Sequence, residues 1–190
     1  MLSLKGTSKL NLLPSHMPSF ENILRQFHDK MTAQNIADAV VSRPERLPEL
    51  MECFLHEEMR ICQRASWPMG MIGKNNTSLL LPYIPQLLAA IKEPKHDAVV
   101  RNTFRTFQFM DFPEVIEGEV FDVSLSFLMD INNAVAIRVF SMTVCANICM
   151  KYPELAPELI PVIEEQLPHG TTGFKNRGMK LVAKLRKLVP

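Results

Sequence analysis

The chain has little Trp or Tyr, one and two among 190 residues, and few strand-forming signals. No Asn-Gly or Asp-Gly pair stands between alternating apolar runs, which removes the strongest hairpin signal and argues against an all-β fold. Surplus charge is missing too. There are 21 Lys and Arg against 20 Asp and Glu, so the basic excess that marks a dedicated nucleic-acid binder is absent. Long apolar runs are lacking: the longest, residues 134–150, contains Arg138 and Asn147 and falls short of the roughly 20 apolar residues that span a bilayer. Before any apolar run reaches the length of an export signal, Lys5, Gly6 and Lys9 interrupt it. The four cysteines (Cys53, Cys62, Cys145 and Cys149) form no C-x-x-C pair. A chain of this size needs no disulfide staples, so reduced thiols in a cytoplasmic protein are expected, away from membranes.

What the chain does have is a repeat. Arg64, Arg101, Arg138 and Arg177 are separated by 37, 37 and 39 residues, a period in the range of helical solenoids. Seventeen residues before each stand Leu47, Ile84, Phe121 and Ile160, and ten before each stand Phe54, Ile91, Leu128 and Leu167. Fourteen before, Leu50, Leu87 and Ile163 fit the register while Ser124 breaks it. Offsets of three and seven residues lie on one helical face, so these columns form the buried stripe of a first helix. Ile61, Ala98, Val135 and Phe174, three before each arginine, with Ile72, Phe109, Ala146 and Leu185, eight after, form the stripe of a second. Pro48, Pro85 and Pro161 recur sixteen before the arginine, with Asp122 the exception; near a helix start proline is tolerated, deeper in it bends the helix.

The periodicities predict helices near 19–30, 32–42, 45–59, 61–73, 79–92, 96–110, 114–129, 132–150, 154–167 and 172–188. Residues 1–16 have no clear period and read as a loose arm; residues 17–190 read as one domain. The expected fold is all-α, a right-handed solenoid of antiparallel helix pairs. Its repeats fall near 45–78, 79–113, 114–152 and 153–190, with the preceding helices as an N-terminal cap.

Two-helix repeats with a proline in the first helix and an arginine early in the second resemble the HEAT and armadillo-like superfamily. Asp97 before Arg101 and Asn133 before Arg138 look like the acidic or amide partner position there. Proline-to-arginine spacing is about two residues longer than in that pattern, and Arg64 and Arg177 lack the acidic partner. The chain also resembles a group of small uncharacterised bacterial helical-repeat proteins, some carrying a lyase label. Its segment from Ser66 to Asn76 is loosely similar to the serine loop of the adenylosuccinate lyase and fumarase superfamily. No Pro follows Met69 and Lys74 stands too far on, so lyase chemistry is rejected and the segment is read as a helix end broken at Gly73.

The arginine column serves the contacts between repeats or binds anions, and the first role is the more usual. Six acids and no base run from Asp111 to Asp130, while the last helix carries Lys175, Arg177, Lys180, Lys184, Arg186 and Lys187 and no acid. Cys145 with Cys149, and Cys53 with His56, each make at most half a metal site, so they are read as packing and no metal or cofactor is expected. His28, His96 and His169 read as surface or satisfied residues. The favoured function is a non-catalytic module or scaffold that binds another macromolecule, a protein, along the surface of its second helices. Candidate groove residues are Arg64, Trp67, Arg101, Phe104, Arg105 and Arg138, with Lys180, Lys184 and Lys187 as a basic patch. The alternative is a nucleic-acid partner, as in the HEAT-like glycosylases that release alkylated bases, with Asp97 or Asp111 as the required acid.

Overall fold

The computed structural model describes residues 18–189. The arm expected over residues 1–16 lies outside the described residues. Ten α-helices follow in order and no strand occurs among the described residues: α1 (Phe20–Gln26), α2 (Lys30–Ser42), α3 (Leu47–Phe54), α4 (Met59–Asn75), α5 (Ile84–Lys92), α6 (Asp97–Phe107), α7 (Glu114–Met129), α8 (Val135–Cys149), α9 (Ala156–Gln166) and α10 (Thr172–Leu185). Short 3-10 turns at Pro44–Arg46, Thr77–Tyr83 and Pro153–Leu155 lead into α3, α5 and α9.

Local chemistry sets the helix starts. Ser19, Asp29 and Thr171 accept hydrogen bonds from the amides of Asn22, Thr32 and Phe174, satisfying donors that the first turn leaves orphaned. Pro48, Pro85 and Pro157 sit in the first turns of α3, α5 and α9, where the missing N–H costs nothing. Pro161 instead falls inside α9. The expected helix at 79–92 is split because the chain up to Tyr83 winds as a 3-10 turn, with α5 beginning at Ile84.

Packing runs in two ways. Sequence neighbours pair, α3 on α4, α5 on α6, α7 on α8 and α9 on α10, while α2 packs on α4, α4 on α6, α6 on α8 and α8 on α10. The apolar columns fill this interior: Leu47, Leu50, Phe54, Ile84, Leu87, Ile91, Phe121 and Leu128 are all buried. Phe104 meets Phe107 and Phe127 edge-on, with centroids 6.3 and 5.0 Å apart, and Phe107 meets Phe112 at 5.2 Å. Two column members are exposed. Val135 is the first residue of α8, and Phe109 lies beyond the end of α6 at Phe107, out of helical register. Ser124, where the column breaks, is fully buried and its hydroxyl has no partner.

Helix α4 runs through Gly73 to Asn75 instead of breaking there. The glycine serves a close approach: a Cβ added to Gly73 would stand 2.5 Å from Thr106 Oγ1 on α6. Gly73→Ala is therefore expected to cost about 1–3 kcal/mol through overpacking, read as a lower urea midpoint. An unchanged midpoint would mean that α4 and α6 separate without penalty.

One carboxylate is buried. Glu117 on α7 accepts from Lys151 Nζ at 2.6 Å and from the Tyr152 hydroxyl at 2.7 Å, and Lys151 also reaches Asp111. These donors, the lysine first, hold the Glu117 carboxyl below the usual carboxylate range against the opposing effect of burial. A lowered folded value means that the stabilisation is present above the ordinary carboxylate range and is lost as pH falls toward the folded value. The melting-temperature gap between wild type and Glu117→Gln should thus shrink between pH 7 and about pH 3; a constant gap would contradict this assignment.

Candidate functional site

A small notch lies where α4, α6 and the connection between α1 and α2 meet. Gln63, Ser66 and Trp67 share one face of α4, Arg101, Asn102 and Arg105 one face of α6, and His28 closes the notch; its volume is about 210 Å³. Ser66 and Asn102 are buried and turned back onto their own helices, donating to the carbonyls of Cys62 and Ala98 at 2.9 and 2.8 Å. His28 meets the half-buried indole of Trp67 edge-on with centroids 5.9 Å apart.

The two guanidiniums are the distinctive feature. Arg101 and Arg105 are exposed and neither makes an ion pair or hydrogen bond through its side chain among the described residues. Asp97, one turn before Arg101, does not close on it. Arg105 lies across α4 at Gly70, where a Cβ would stand 3.6 Å from its Nη1. Two unneutralised cations one turn apart, beside an aromatic edge, suit a carboxylate or phosphate partner, which a guanidinium fork grips through two parallel hydrogen bonds.

The other register arginines are occupied. Arg64 Nη1 donates to the carbonyls of Leu24 and Arg25 at 2.6 and 3.1 Å, capping the C-terminal end of α1. Arg138 donates to the Gln166 side chain and faces the Phe174 ring at 5.0 Å, while its Nε is buried without a partner. It lines a separate, larger and mostly apolar cavity of about 360 Å³ with Met129, Ile131, Val162, Glu165, Gln166 and His169. Arg177 Nη1 donates to Thr143 Oγ1 at 3.1 Å. These bonds bridge helices of successive pairs.

This repeating arrangement has a known counterpart. Residues 20–182 match the family described as HEAT repeat domain. The chain belongs to that family. No curated protein and no solved structure matches it. In this HEAT repeat chain Arg64, Arg138 and Arg177 are spent on contacts between successive helix pairs, whereas Arg101 is not.

Of the residues expected in a groove, the fold brings together Trp67, Arg101 and Arg105. Phe104 is corrected: it stands about 60° round α6 from Arg101, on the flank that turns into the core against Phe107 and Phe127, so it is wholly buried and offers nothing to a partner. Arg64 and Arg138 stand outside the notch, and Lys180, Lys184 and Lys187 are exposed at the far end, on and just after α10. His28, Gln63 and Asn102 were not anticipated. Gln63 is one turn before Trp67 on α4, a visible signal; His28 arrives from another helix pair and carried none.

The cysteines do not enter the site. All four are buried, and desolvation pushes the thiols of Cys53, Cys62 and Cys149 up to about 12 and raises that of Cys145 well above the ordinary thiol value, so they stay protonated at neutral pH. Among the described residues no three His, Cys, Asp or Glu side chains converge, and no helix is long and apolar enough to cross a membrane.

Free and occupied arginines should separate by mutation. Arg101→Gln with Arg105→Gln is expected to leave urea stability within about 0.5 kcal/mol of wild type, while Arg64→Ala should cost about 1–3 kcal/mol by stripping two carbonyls of a charged donor. If the double variant loses as much as Arg64→Ala, its arginines hold the fold and the notch is not a site.

Proposed function

We propose that this HEAT repeat chain is a non-catalytic binding module, a scaffold that holds a protein along the surface built by α2, α4, α6, α8 and α10. In this reading the helix pairs wind as a right-handed solenoid of antiparallel pairs within one domain over residues 17–190. Repeats lie near 45–78, 79–113, 114–152 and 153–190, and α1 and α2 cap them. The protein works in the cytoplasm, without metal or cofactor. A solenoid offers a preformed surface, so a partner binds with little ordering cost.

The observation that carries the reading is the pair of unpartnered guanidiniums, Arg101 and Arg105, beside Trp67 in a register whose other arginines are occupied. Arginine and tryptophan are the residues most enriched where binding energy concentrates. The base-releasing alternative is less well supported. Asp111 is ion-paired with Lys151, and Asp97 does not line the notch, so neither carboxylate proposed for that chemistry faces the indole and the guanidiniums.

A photo-cross-linking residue placed at Gln63, at the notch, and at Asp122, on α7, tests the reading in cells. Protein adducts are expected from Gln63 and not from Asp122. Adducts that contain nucleic acid at Gln63, or equal protein adducts from both positions, would overturn it.

A further inference from the structure

The near-cancelled net charge conceals a segregation by helix. The even-numbered helices hold eleven Lys and Arg and two acids, Asp38 and Asp97. The odd-numbered helices hold ten Asp and Glu and two bases, Arg25 and Lys92. Helices α4, α8 and α10 contain no acid at all. Because α2, α4, α6, α8 and α10 pack consecutively, the bases lie in one contiguous series of helices.

Internal pairing does not relieve this charge. Among the described residues the ion-paired cations include Arg25, Arg46, Lys92, Lys95, Lys151 and Arg186, which come from odd-numbered helices, connections or the segment after α10. None of the eleven even-helix cations is among them. Arg64, Arg138 and Arg177 do hydrogen-bond to other helices, but to carbonyl, amide and hydroxyl groups that leave their charge unbalanced. Like charges gathered on a folded surface repel one another, a cost that an anionic partner reverses.

The same helices expose apolar side chains between their cations. Met31 on α2, Met59 on α4 and Met179 on α10 are each more than half exposed. A phosphate backbone gains nothing from a thioether, whereas methionine is a favoured contact for apolar peptide side chains. Stacking on bases calls for aromatic platforms, and of the five aromatic residues on these helices Phe104, Phe107 and Phe174 are buried while Trp67 and Phe140 are only partly exposed. Cations and methionines on one series of helices fit a polypeptide that carries both carboxylates and apolar groups.

We propose that the even-numbered helices form the docking face for an acidic protein segment whose carboxylates are interspersed with apolar residues. It is anchored at the notch of Trp67, Arg101 and Arg105 and extends toward Lys180 and Lys184. The proposal rests on the reading of the chain as a protein-binding module and names the chemistry of its partner.

Fluorescence anisotropy of labelled probes titrated with the full chain tests it. The probes are a peptide alternating Glu with Leu and Ser, a polyglutamate of equal charge, and a duplex DNA, each at low and moderate salt. The mixed peptide is expected to bind most tightly, to weaken as salt rises, and to lose about tenfold or more in affinity, about 1.4 kcal/mol, with R101E/R105E. E52K/D122K, on odd-numbered helices, should leave its binding unchanged. Should R101E/R105E fold poorly, R101Q/R105Q and K180E/K184E must each still weaken binding. Tighter binding of the duplex, equal binding of polyglutamate, or no effect of any of these even-helix variants would overturn the proposal. If Gln63 cross-links to a protein while no acidic probe binds at low salt, the binding-module reading stands and the acidic partner falls.

Discussion

The close approach of α4 to α6 is the constraint on which the rest of the structure depends. Gly70 and Gly73 lie three residues apart on one face of α4, and α6 lays Arg105 over the first and Thr106 against the second. No helix pair buries its apolar stripe alone, so the stack exists only because each even-numbered helix also packs on the next. At α4 and α6 that packing is tight enough to exclude a methyl group. The same seating brings Trp67 beside Arg101 and Arg105, so the notch follows directly from the packing of the core.

Charge follows the same division. Among the described residues five of the ten acids on the odd-numbered helices pair with bases of those helices, of the connections or of the segment after α10, as in Lys92 with Glu119 and Arg186 with Glu164. Bases on the even-numbered helices meet only neutral acceptors or solvent. A chain with a formal net charge of +1 can therefore present a strongly basic series of helices, and overall pI says little about such a surface. Function here is a matter of which helices carry the charge.

Much of this was legible in the sequence. The arginine register and its apolar columns marked eight helices, local caps and spacing marked the two before them, and the family followed from the register residues. Where the columns failed, the cause was local: α6 ends at Phe107, before Phe109 can turn inward, and Val135 opens α8 at its exposed first turn. The notch was only half legible. Trp67, Arg101 and Arg105 stood out by type and register, but Phe104 sits three residues from Arg101 and turns to the core, a choice made by packing against Phe127. His28 lies 39 residues before Trp67, and only tertiary packing brings the two rings together. Charge segregation was visible in the acid run of residues 111–130 and in the basic last helix, but its division by helix series emerged only once packing showed which helices stand together.

Hydrogen exchange resolved by helix addresses the central claim most directly, because protection tracks the free energy of local opening. If the packed even-numbered series holds the chain together, amides in the middle of α4, α6 and α8, each packed on an even-numbered neighbour at both sides, should exchange most slowly, with α1 among the fastest. Exchange in α4 and α6 as fast as in α1 would contradict the account.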